Sequence, residues 1–193
     1  AQWAAWKLRA VPVNVNYRYV EGELQYLLDN SDSVAVVHGA EFAPRLANIR
    51  ADLPRLKAAL AWADGTDVDL ADSGCEDYEK ALAAESGERD FGPRSNDDLY
   101  ILYTGGTTGM PKGVMWRHED FFLATSGPIV TALGDPFGSP SELPERTAGN
   151  AQGCGFPVAP IMHGAAQWVS IGNALQGTKM VLSTARRMDP LEV

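Results

Sequence analysis

The feature that most constrains the fold is a glycine- and threonine-rich loop, Tyr103-Thr-Gly-Gly-Thr-Thr-Gly-Met-Pro-Lys-Gly-Val114. It follows an apolar run that predicts a strand, and Gly113 to Met115 predict a second strand directly after it. Its glycines let the backbone take positive φ and bring N–H groups close to an anion, while its threonines add hydroxyl donors. Lys112 adds a compact positive charge. The segment therefore predicts a loop that holds polyphosphate.

This loop is not a Walker A motif. That motif requires Gly-Lys followed by Ser or Thr at the start of a helix, whereas Lys112 is followed here by Gly113 and Val114. A GTPase or ATPase of the P-loop type is therefore disfavoured. The alternative, that the segment is merely a flexible turn, is disfavoured because Pro111 and Lys112 follow the glycines and threonines.

Strand-like apolar runs alternate with helical patterns along the chain, which is typical of an α/β fold with mostly parallel sheets flanked by helices. The predicted strands are Val11 to Val15, Ser33 to Val37, Ala58 to Trp62, Leu99 to Tyr103, Gly113 to Met115, Phe156 to His163 and Thr178 to Leu182. The predicted helices are one bearing Leu24, Leu27 and Leu28, and others at Glu41 to Ile49, at Glu76 to Ala84, from Glu119 and from Gly164. We expect Pro128 to kink or end the helix that starts at Glu119.

The negative charge is concentrated in one segment. Residues 64–98 hold 12 acidic and 3 basic side chains, and this excess accounts for the whole formal net charge of −9. We interpret the segment as an acidic surface excursion, and an acidic docking site is the alternative. The chain has no basic stripe of the kind that nucleic-acid binders carry, so that class is disfavoured.

Three further features bear on organisation and compartment. Residues 134–157 contain 5 glycines and 4 prolines, which predicts a loop or lid margin without regular elements. Cys75 and Cys154 lie far apart without a zinc-binding pattern, which predicts two reduced structural cysteines. No apolar run suggests a membrane span, and Ala1 to Lys7 do not form a signal peptide. We therefore expect a cytoplasmic protein.

At the loop the chain resembles the adenylate-forming superfamily of acyl-CoA synthetases, luciferases and peptide-synthetase adenylation domains. The family signature Thr-Ser-Gly-Thr-Thr-Gly-x-Pro-Lys-Gly is matched except for Gly105 in place of serine. Together with Met115 to Asp120, this departure is most similar to the fatty-acyl and steroid side-chain CoA ligases of actinobacteria. The resemblance implies ATP-dependent activation of a fatty or steroid side-chain acid to an acyl-adenylate and then to acyl-CoA. ATP, Mg²⁺ and coenzyme A would be required.

The resemblance also implies roles for individual residues. Thr104 and Lys112 would be catalytic, with Lys112 on the β- or γ-phosphate and Thr104 also touching the magnesium ion. The residues implied to hold the ATP phosphates are Thr104, Gly105, Gly106, Thr107, Thr108, Gly109 and Lys112. His163 and Gly164, in Pro160-Ile-Met-His-Gly164, would line the wall of the acyl-substrate site.

The three histidines carry different expectations. From the residues alone, a lone histidine at a strand-to-helix junction, such as His163, is more often a helix cap or a satisfied core group than a functional residue. His118 is predicted to be a structural group or to support the site from behind. His38 is predicted to be a strand-end residue without an assigned role.

The resemblance covers almost the whole chain, starting at Lys7 to Asn16. It stops before the family's Tyr-Gly-x-Thr-Glu segment, its ribose-binding aspartate and its small C-terminal domain with the adenylation lysine. We therefore expect the 193 residues to be the central part of a large N-terminal domain, cut at both ends and inactive alone.

Two alternatives stay open. One is a different adenylate-forming enzyme, a peptide-synthetase adenylation domain or a luciferase-like oxygenase, distinguished by whether the acceptor is CoA, a carrier-protein arm or oxygen. The other is a non-catalytic nucleotide-binding or interaction module that retains only the loop. The expected partners are small molecules: a carboxylic acid, ATP and CoA. The identity of the acid and the oligomeric state do not follow from the sequence.

Overall fold

Residues 1–71, 73–105, 109–132, 140–149 and 153–183 are described by a computed structural model. The chain divides into two units. The first unit contains Ala1–Arg94 and Gly105–Gly113, and the second contains Ser95–Thr104 and Val114–Val193. The glycine- and threonine-rich loop therefore groups mainly with the first unit, although the strands on either side of it continue in the second.

The first unit is built on a parallel three-stranded sheet in the order β1-β2-β3. The strands are β1 Ala35–Gly39, β2 Ala58–Trp62 and β3 Glu76–Asp77. Val37 pairs with Leu60, and Leu60 in turn pairs with Glu76. Parallel neighbours need a crossover connection between them. The helical segment that contains Ala43–Ile49 connects β1 to β2, whereas none of the described residues between β2 and β3 is helical. The predicted α/β class with parallel pairing is confirmed.

The described helices of the first unit are α1 Gln2–Lys7, α2 Glu21–Asn30, α3 Ala43–Ile49 and α4 Tyr78–Ala84, with 3-10 turns at Ala40–Phe42 and Arg50–Asp52. Helix α2 buries the predicted apolar stripe of Leu24, Leu27 and Leu28 and packs against α3. Helix α4 begins where the Asp77 side chain accepts a hydrogen bond from the Lys80 N–H at 2.9 Å, which caps its first turn.

The second unit contains β4 Leu99–Thr104, most of β5 Lys112–Arg117, α5 His118–Ala132, α6 Leu143–Thr147, β6 Cys154–Gly155, α7 Gly164–Leu175 and β7 Lys179–Met180, with a 3-10 turn at Pro140–Glu142. Strands β4 and β5 are neighbours in one sheet, and β6 pairs with β7 in parallel. Helix α7 packs against α5 and β7.

The core of the second unit is aromatic and contains one buried polar pair. The ring of Phe121 lies 4.6 Å from that of Tyr100 and 5.4 Å from that of Trp168, measured between centroids. The Tyr100 hydroxyl donates to Oε1 of Gln167, which is only 1% exposed. Burial raises the pKa of Tyr100. This pair ties α7 to β4.

Each unit also contains two tryptophans in edge-to-face contact. In the first unit, the rings of Trp3 and Trp6 on α1 lie 5.0 Å apart with an interplanar angle of 86°. In the second unit, the rings of Trp116 on β5 and Trp168 on α7 lie 4.9 Å apart at 85°. This geometry is preferred by aromatic quadrupoles.

Two predicted strands are shorter than expected, and a third does not form. Val11 to Val15 contributes a single bridging residue, Val13, and Thr178 to Leu182 shortens to β7. The prediction for Phe156 to His163 is wrong, because the pairing occurs just before it, in β6. Prolines explain why Val11 to Val15 and Phe156 to His163 do not form full strands. Pro12, Pro157 and Pro160 have no N–H to donate to a ladder.

Helix α5 does not end at Pro128 but continues to Ala132, so the predicted helix end there is wrong. A proline removes only one N–H from the helix. In the turn before it, the Thr125 hydroxyl donates to the Phe121 carbonyl at 2.8 Å, a back-bond of the kind that often bends a helix without ending it.

The prediction that residues 134–157 lack regular elements is also wrong where they are described. Helix α6 and strand β6 lie in the described residues 140–149 and 153–157. Pro144 is tolerated because it lies in the first turn of α6, where a backbone N–H has no helical acceptor. Residues 134–139 and 150–152 lie outside the described residues.

The acidic segment 64–98 contains β3 and α4, and its described residues are all exposed or half-buried. Among the residues that the structure describes, no helix is both long enough and apolar enough to cross a membrane.

Candidate phosphate and substrate site

The predicted phosphate loop begins at the end of β4. Tyr100 and Leu102 are buried along this strand, whereas its last residue, Thr104, is exposed. The Thr104 hydroxyl is therefore within reach of a ligand. Gly105 follows, and no atom lies within 4 Å of the position that a Cβ would take there. Gly106, Thr107 and Thr108 lie outside the described residues.

The second half of the loop places a glycine and a lysine close together. Gly109 has φ of +129°, a conformation that residues with side chains rarely adopt, so glycine is required there. Lys112 is exposed as the first residue of β5. Within the described part of the chain, its ammonium group has no hydrogen bond or ion pair. Its charge is therefore available to an anion.

The residue before Lys112 is anchored from another part of the first unit. Pro111 is buried, and its carbonyl accepts a hydrogen bond from the Tyr26 hydroxyl at 3.2 Å. Tyr26 lies on α2, between Leu24 and Leu27 of the buried stripe. The sequence analysis missed this residue. Its only signal is that a half-buried tyrosine on an apolar stripe needs a partner for its hydroxyl.

His163 lies at the N-cap of α7, as one of the sequence alternatives predicted, but it caps the helix through its backbone. Its carbonyl accepts from the Gln167 N–H at 3.0 Å, and its own N–H donates to the Pro160 carbonyl at 2.9 Å. Its side chain makes no capping hydrogen bond and is exposed. The imidazole is therefore positioned by a fixed backbone and is accessible from solvent.

Gly164 has a steric reason to be glycine. A Cβ at this position would overlap Cδ2 of Leu102, a buried residue of β4. The first turn of α7 can therefore approach β4 only without a side chain at 164. The structure thus brings Gly164 against the strand that leads to Thr104.

The neighbouring basic residue Arg117 differs from Lys112 because carboxylates surround it. Its guanidinium lies 2.8 Å from Asp97, 3.1 Å from Glu119 and 3.4 Å from Asp120. The hydrogen bond with Asp97 is the main cause that raises the pKa of Arg117. An Arg117 compensated in this way braces the β5–α5 junction and is a poor anion ligand.

His118 occupies a structural position, as expected. Its Nε2 lies 3.2 Å from the Leu99 carbonyl, and its N–H donates to the Asp98 carbonyl at 2.8 Å. These contacts join the start of α5 to the start of β4.

A protein-only metal centre is not found in the described ranges, where no three His, Cys, Asp or Glu side chains form a metal-binding group. Magnesium usually takes few protein ligands and completes its shell with substrate phosphates and water. The exposed Thr104 hydroxyl fits a single oxygen ligand of that kind.

The described residues thus combine a parallel α/β fold with a glycine- and threonine-rich loop, predicted to bind an anion, and an exposed lysine, which are features expected of a nucleotide-binding α/β protein. The sequence model of the AMP-binding enzyme family matches residues 1–193, and the chain belongs to this family.

Relatives with known names include two actinobacterial CoA ligases. The chain is 46% identical over 182 residues to a 3-oxocholest-4-en-26-oate–CoA ligase of Rhodococcus rhodochrous, covering 94% of this chain and 33% of the relative. It is 47% identical over 168 residues to a medium/long-chain-fatty-acid–CoA/3-oxocholest-4-en-26-oate–CoA ligase of Mycolicibacterium smegmatis, covering 86% of this chain and 30% of the relative. The chain spans about a third of the length of these proteins.

Solved structures support the fold. The N-terminal domain of FACL13 from Mycobacterium tuberculosis matches 97% of this chain and 40% of its own, with TM-score 0.67 and 23% identity. ATP-bound MatB from Rhodopseudomonas palustris matches 95% of this chain and 31% of its own, with TM-score 0.65 and 23% identity. At this identity the likeness establishes the architecture alone.

Proposed function

We propose that this chain is part of the large N-terminal domain of an AMP-forming acid–CoA ligase. The family match along the chain and the two CoA ligases at 46% and 47% identity support this proposal. The observation that carries it is the uncompensated Lys112 in a glycine- and threonine-rich loop that Tyr26 anchors at Pro111.

The proposed reaction has two steps. A carboxylate oxygen of the acid attacks the α-phosphorus of ATP, and the bond to pyrophosphate breaks. The sulfur of CoA then attacks the acyl carbon, AMP leaves with the bonding electrons, and the thiol proton passes to solvent. Neither step needs a protein nucleophile, so the chain contributes charge stabilisation and orientation.

In the first step the loop holds the polyphosphate. Lys112 contacts the β- or γ-phosphate, and the Thr104 hydroxyl and the Gly105 and Gly109 backbone lie along the same loop. Gly106, Thr107 and Thr108 are proposed to add N–H and hydroxyl donors. A magnesium ion with Thr104 among its ligands would supply further positive charge to the departing pyrophosphate.

The start of α7 is proposed to form one wall of the acid's carboxylate site. The His163 imidazole is exposed there, and the N-terminal end of a 12-residue helix favours a negative charge. Gly164 keeps this wall close to β4. The carboxylate would therefore meet a surface that holds it without competing negative groups from α7's first turn.

The proposed acid has a long apolar body, either a fatty acid or a steroid side-chain acid. This choice rests on the names of the relatives, which include 3-oxocholest-4-en-26-oate and medium/long-chain fatty acids. ATP and CoA are cytoplasmic substrates, so the proposed reaction places the protein in the cytoplasm.

The test is acid-dependent ATP–pyrophosphate exchange by the full-length protein that contains this chain. We expect exchange with 3-oxocholest-4-en-26-oate or with medium- or long-chain fatty acids, and release of AMP only when CoA is added as well. Amino acids serve as the matched control acids. Exchange with amino acids alone would favour a peptide-synthetase domain, and ATP binding without exchange would favour a non-catalytic module.

A further inference from the structure

A second chemically active group lies in the first unit and has no role in the proposed reaction. The thiol of Cys75 lies 3.4 Å from Nε2 of His38. His38 is on β1, and Cys75 directly precedes β3. The parallel sheet thus brings together a nucleophile and a base that are 37 residues apart in the chain.

The ring of His38 is oriented by the backbone. Its Nδ1 lies 2.7 Å from the Gly39 carbonyl, and a carbonyl oxygen only accepts, so Nδ1 carries the hydrogen. In the neutral ring, Nε2 therefore presents its lone pair to the Cys75 thiol. His38 is only 9% exposed, which holds the imidazole in this orientation. A nucleophile, a base and a group that orients the base are the elements of an activated thiol.

The thiol is held in place by its own loop. The Cys75 N–H donates to the Ser73 hydroxyl at 3.2 Å, and that hydroxyl donates to the Leu70 carbonyl at 2.7 Å. The Ser73 carbonyl is a second, more distant acceptor for the thiol, at 3.8 Å. Cys75 is half-buried, so the sulfur is constrained and still reachable.

Cys75 also opens onto a groove of about 640 Å³ between its loop and α4. The charged residues lining this groove are Asp69, Glu76, Asp77 and Lys80. Three carboxylates and one ammonium give it a negative potential. A cationic or neutral molecule is therefore admitted more readily than an anion.

We propose that Cys75 is a modification site for small disulfides and that His38 is its proton acceptor. The charge of the groove selects cationic over anionic disulfides. This inference does not depend on the proposed ligase activity.

The proposed step is thiol–disulfide exchange. The Cys75 S–H bond breaks as its proton passes to Nε2 of His38. The Cys75 sulfur then attacks one sulfur of the small disulfide, a new S–S bond forms, and the original S–S bond breaks. The leaving thiolate takes the proton from His38. Cys75 is oxidised to a mixed disulfide, and half of the small molecule is reduced to a thiol.

The experiment compares the two cysteines within one folded protein. The full-length protein is treated with cystamine near neutral pH, and peptide mass spectrometry follows Cys75 and Cys154 separately. Cys154 is the internal control, because it is free and more exposed. We expect Cys75 to react about a hundredfold faster, the lower end of the range typical of a positioned base. In urea the two cysteines should react at similar rates.

Two variants separate the base from the groove. His38→Gln should reduce the Cys75 rate to that of Cys154, whereas the control His118→Gln should leave it unchanged. The cationic cystamine should modify Cys75 about fivefold faster than the anionic 3,3′-dithiodipropionate, and Glu76→Gln should narrow this ratio. Added salt should narrow it too, because the lining charges are screened.

The proposal is overturned if Cys154 reacts as fast as Cys75 in the folded protein. It is also overturned if a folded His38→Gln variant keeps the full Cys75 rate. If circular dichroism shows that His38→Gln does not fold, the proposal is tested by the wild-type protein and Glu76→Gln instead. The wild type should then react faster with cystamine than with 3,3′-dithiodipropionate, and Glu76→Gln should lose this preference. Equal rates with the cationic and anionic disulfides would show that the charge of the groove does not select the disulfide.

Discussion

Tyr26 and Pro111 are 85 residues apart in the chain, yet the tyrosine hydroxyl donates a hydrogen bond to the proline carbonyl. The carbonyl belongs to the residue immediately before Lys112. Because proline fixes φ and the hydrogen bond fixes the carbonyl, the direction in which the chain enters β5 is defined. Helix α2 therefore helps to position the predicted phosphate loop, although α2 itself is not predicted to contact phosphate.

Tyr26→Phe should weaken ATP use without unfolding the protein. The ring remains packed on α2, and the net loss is one hydrogen bond worth about 0.5 to 1.5 kcal/mol, or roughly two- to tenfold in binding. The measurement is the KM for ATP in pyrophosphate exchange by the full-length protein. Tyr17→Phe is the control, since among the described residues the Tyr17 hydroxyl accepts a hydrogen bond only from the exposed Arg18. A KM unchanged by Tyr26→Phe would show that the loop does not need this anchor.

Lys112→Ala should reduce acid-dependent pyrophosphate exchange about ten- to a hundredfold, the value of one charged hydrogen bond of roughly 1.5 to 3 kcal/mol. The melting temperature should stay close to that of the wild type, because the side chain is exposed and unpaired within the described residues. Lys57→Ala, another exposed lysine of the first unit, is the matched control. Wild-type exchange in Lys112→Ala would place this lysine away from the phosphates.

Gly164→Ala should destabilise the protein by about 1 to 3 kcal/mol, the usual cost of overpacking. The added methyl would force the buried Leu102 side chain to move. Gly22→Ala on α2 is the opposite control, since open space surrounds that position, and it should stabilise by about 0.5 to 1 kcal/mol. Urea unfolding measures both. A neutral Gly164→Ala would mean that Leu102 has room to turn away.

Asp64 should make stability depend on pH in acid. The Asp64 pKa is lowered from 3.8 to about 2, mainly by the hydrogen bond from the Thr66 hydroxyl and next by the hydrogen bond from the Glu41 N–H. A lowered pKa in the folded state contributes stability above the unfolded value, and this contribution is lost as the pH falls through about 2. Urea unfolding between pH 5 and pH 2 should therefore show a steeper loss for the wild type than for Asp64→Asn.

A second readout addresses the cause of the Asp64 shift. Thr66→Val removes the hydroxyl donor at 2.5 Å and should raise the pKa of Asp64, measured by NMR of the carboxyl carbon. Parallel stability curves for the wild type and Asp64→Asn would contradict the assignment.

The sequence predicts elements well where an apolar run has clear limits. Strand β2 forms over the predicted residues Ala58 to Trp62, and α2 buries the predicted leucines. Strand β3 could not be predicted, because Glu76 and Asp77 have no strand signal and form a ladder only through pairing with β2. Strand β1 ends at Gly39, two residues beyond its predicted end, because the buried His38 contacts Cys75, a residue distant in sequence.

The candidate site also combines features that follow from local sequence with features that depend on residues distant in the chain. The loop chemistry and the exposed Lys112 follow from local residues, because glycine and threonine act through their own backbone and hydroxyl groups. Tyr26 and Leu102 influence the site through contacts with distant residues, Pro111 and Gly164, that local patterns do not encode. Local patterns also carry no signal for the contact between Cys75 and His38, because the two residues lie in different segments and neither belongs to a recognisable motif.

The tryptophan pairs give each unit a separate optical signature. Two indoles in edge-to-face contact couple their electronic transitions, so Trp3 with Trp6 and Trp116 with Trp168 should produce distinct near-ultraviolet circular dichroism bands. Trp3→Phe would silence the first band and Trp116→Phe the second. Because Trp168 lies on the helix that begins at Gly164, the second band offers a dye-free test of the proposal that the acid binds beside His163.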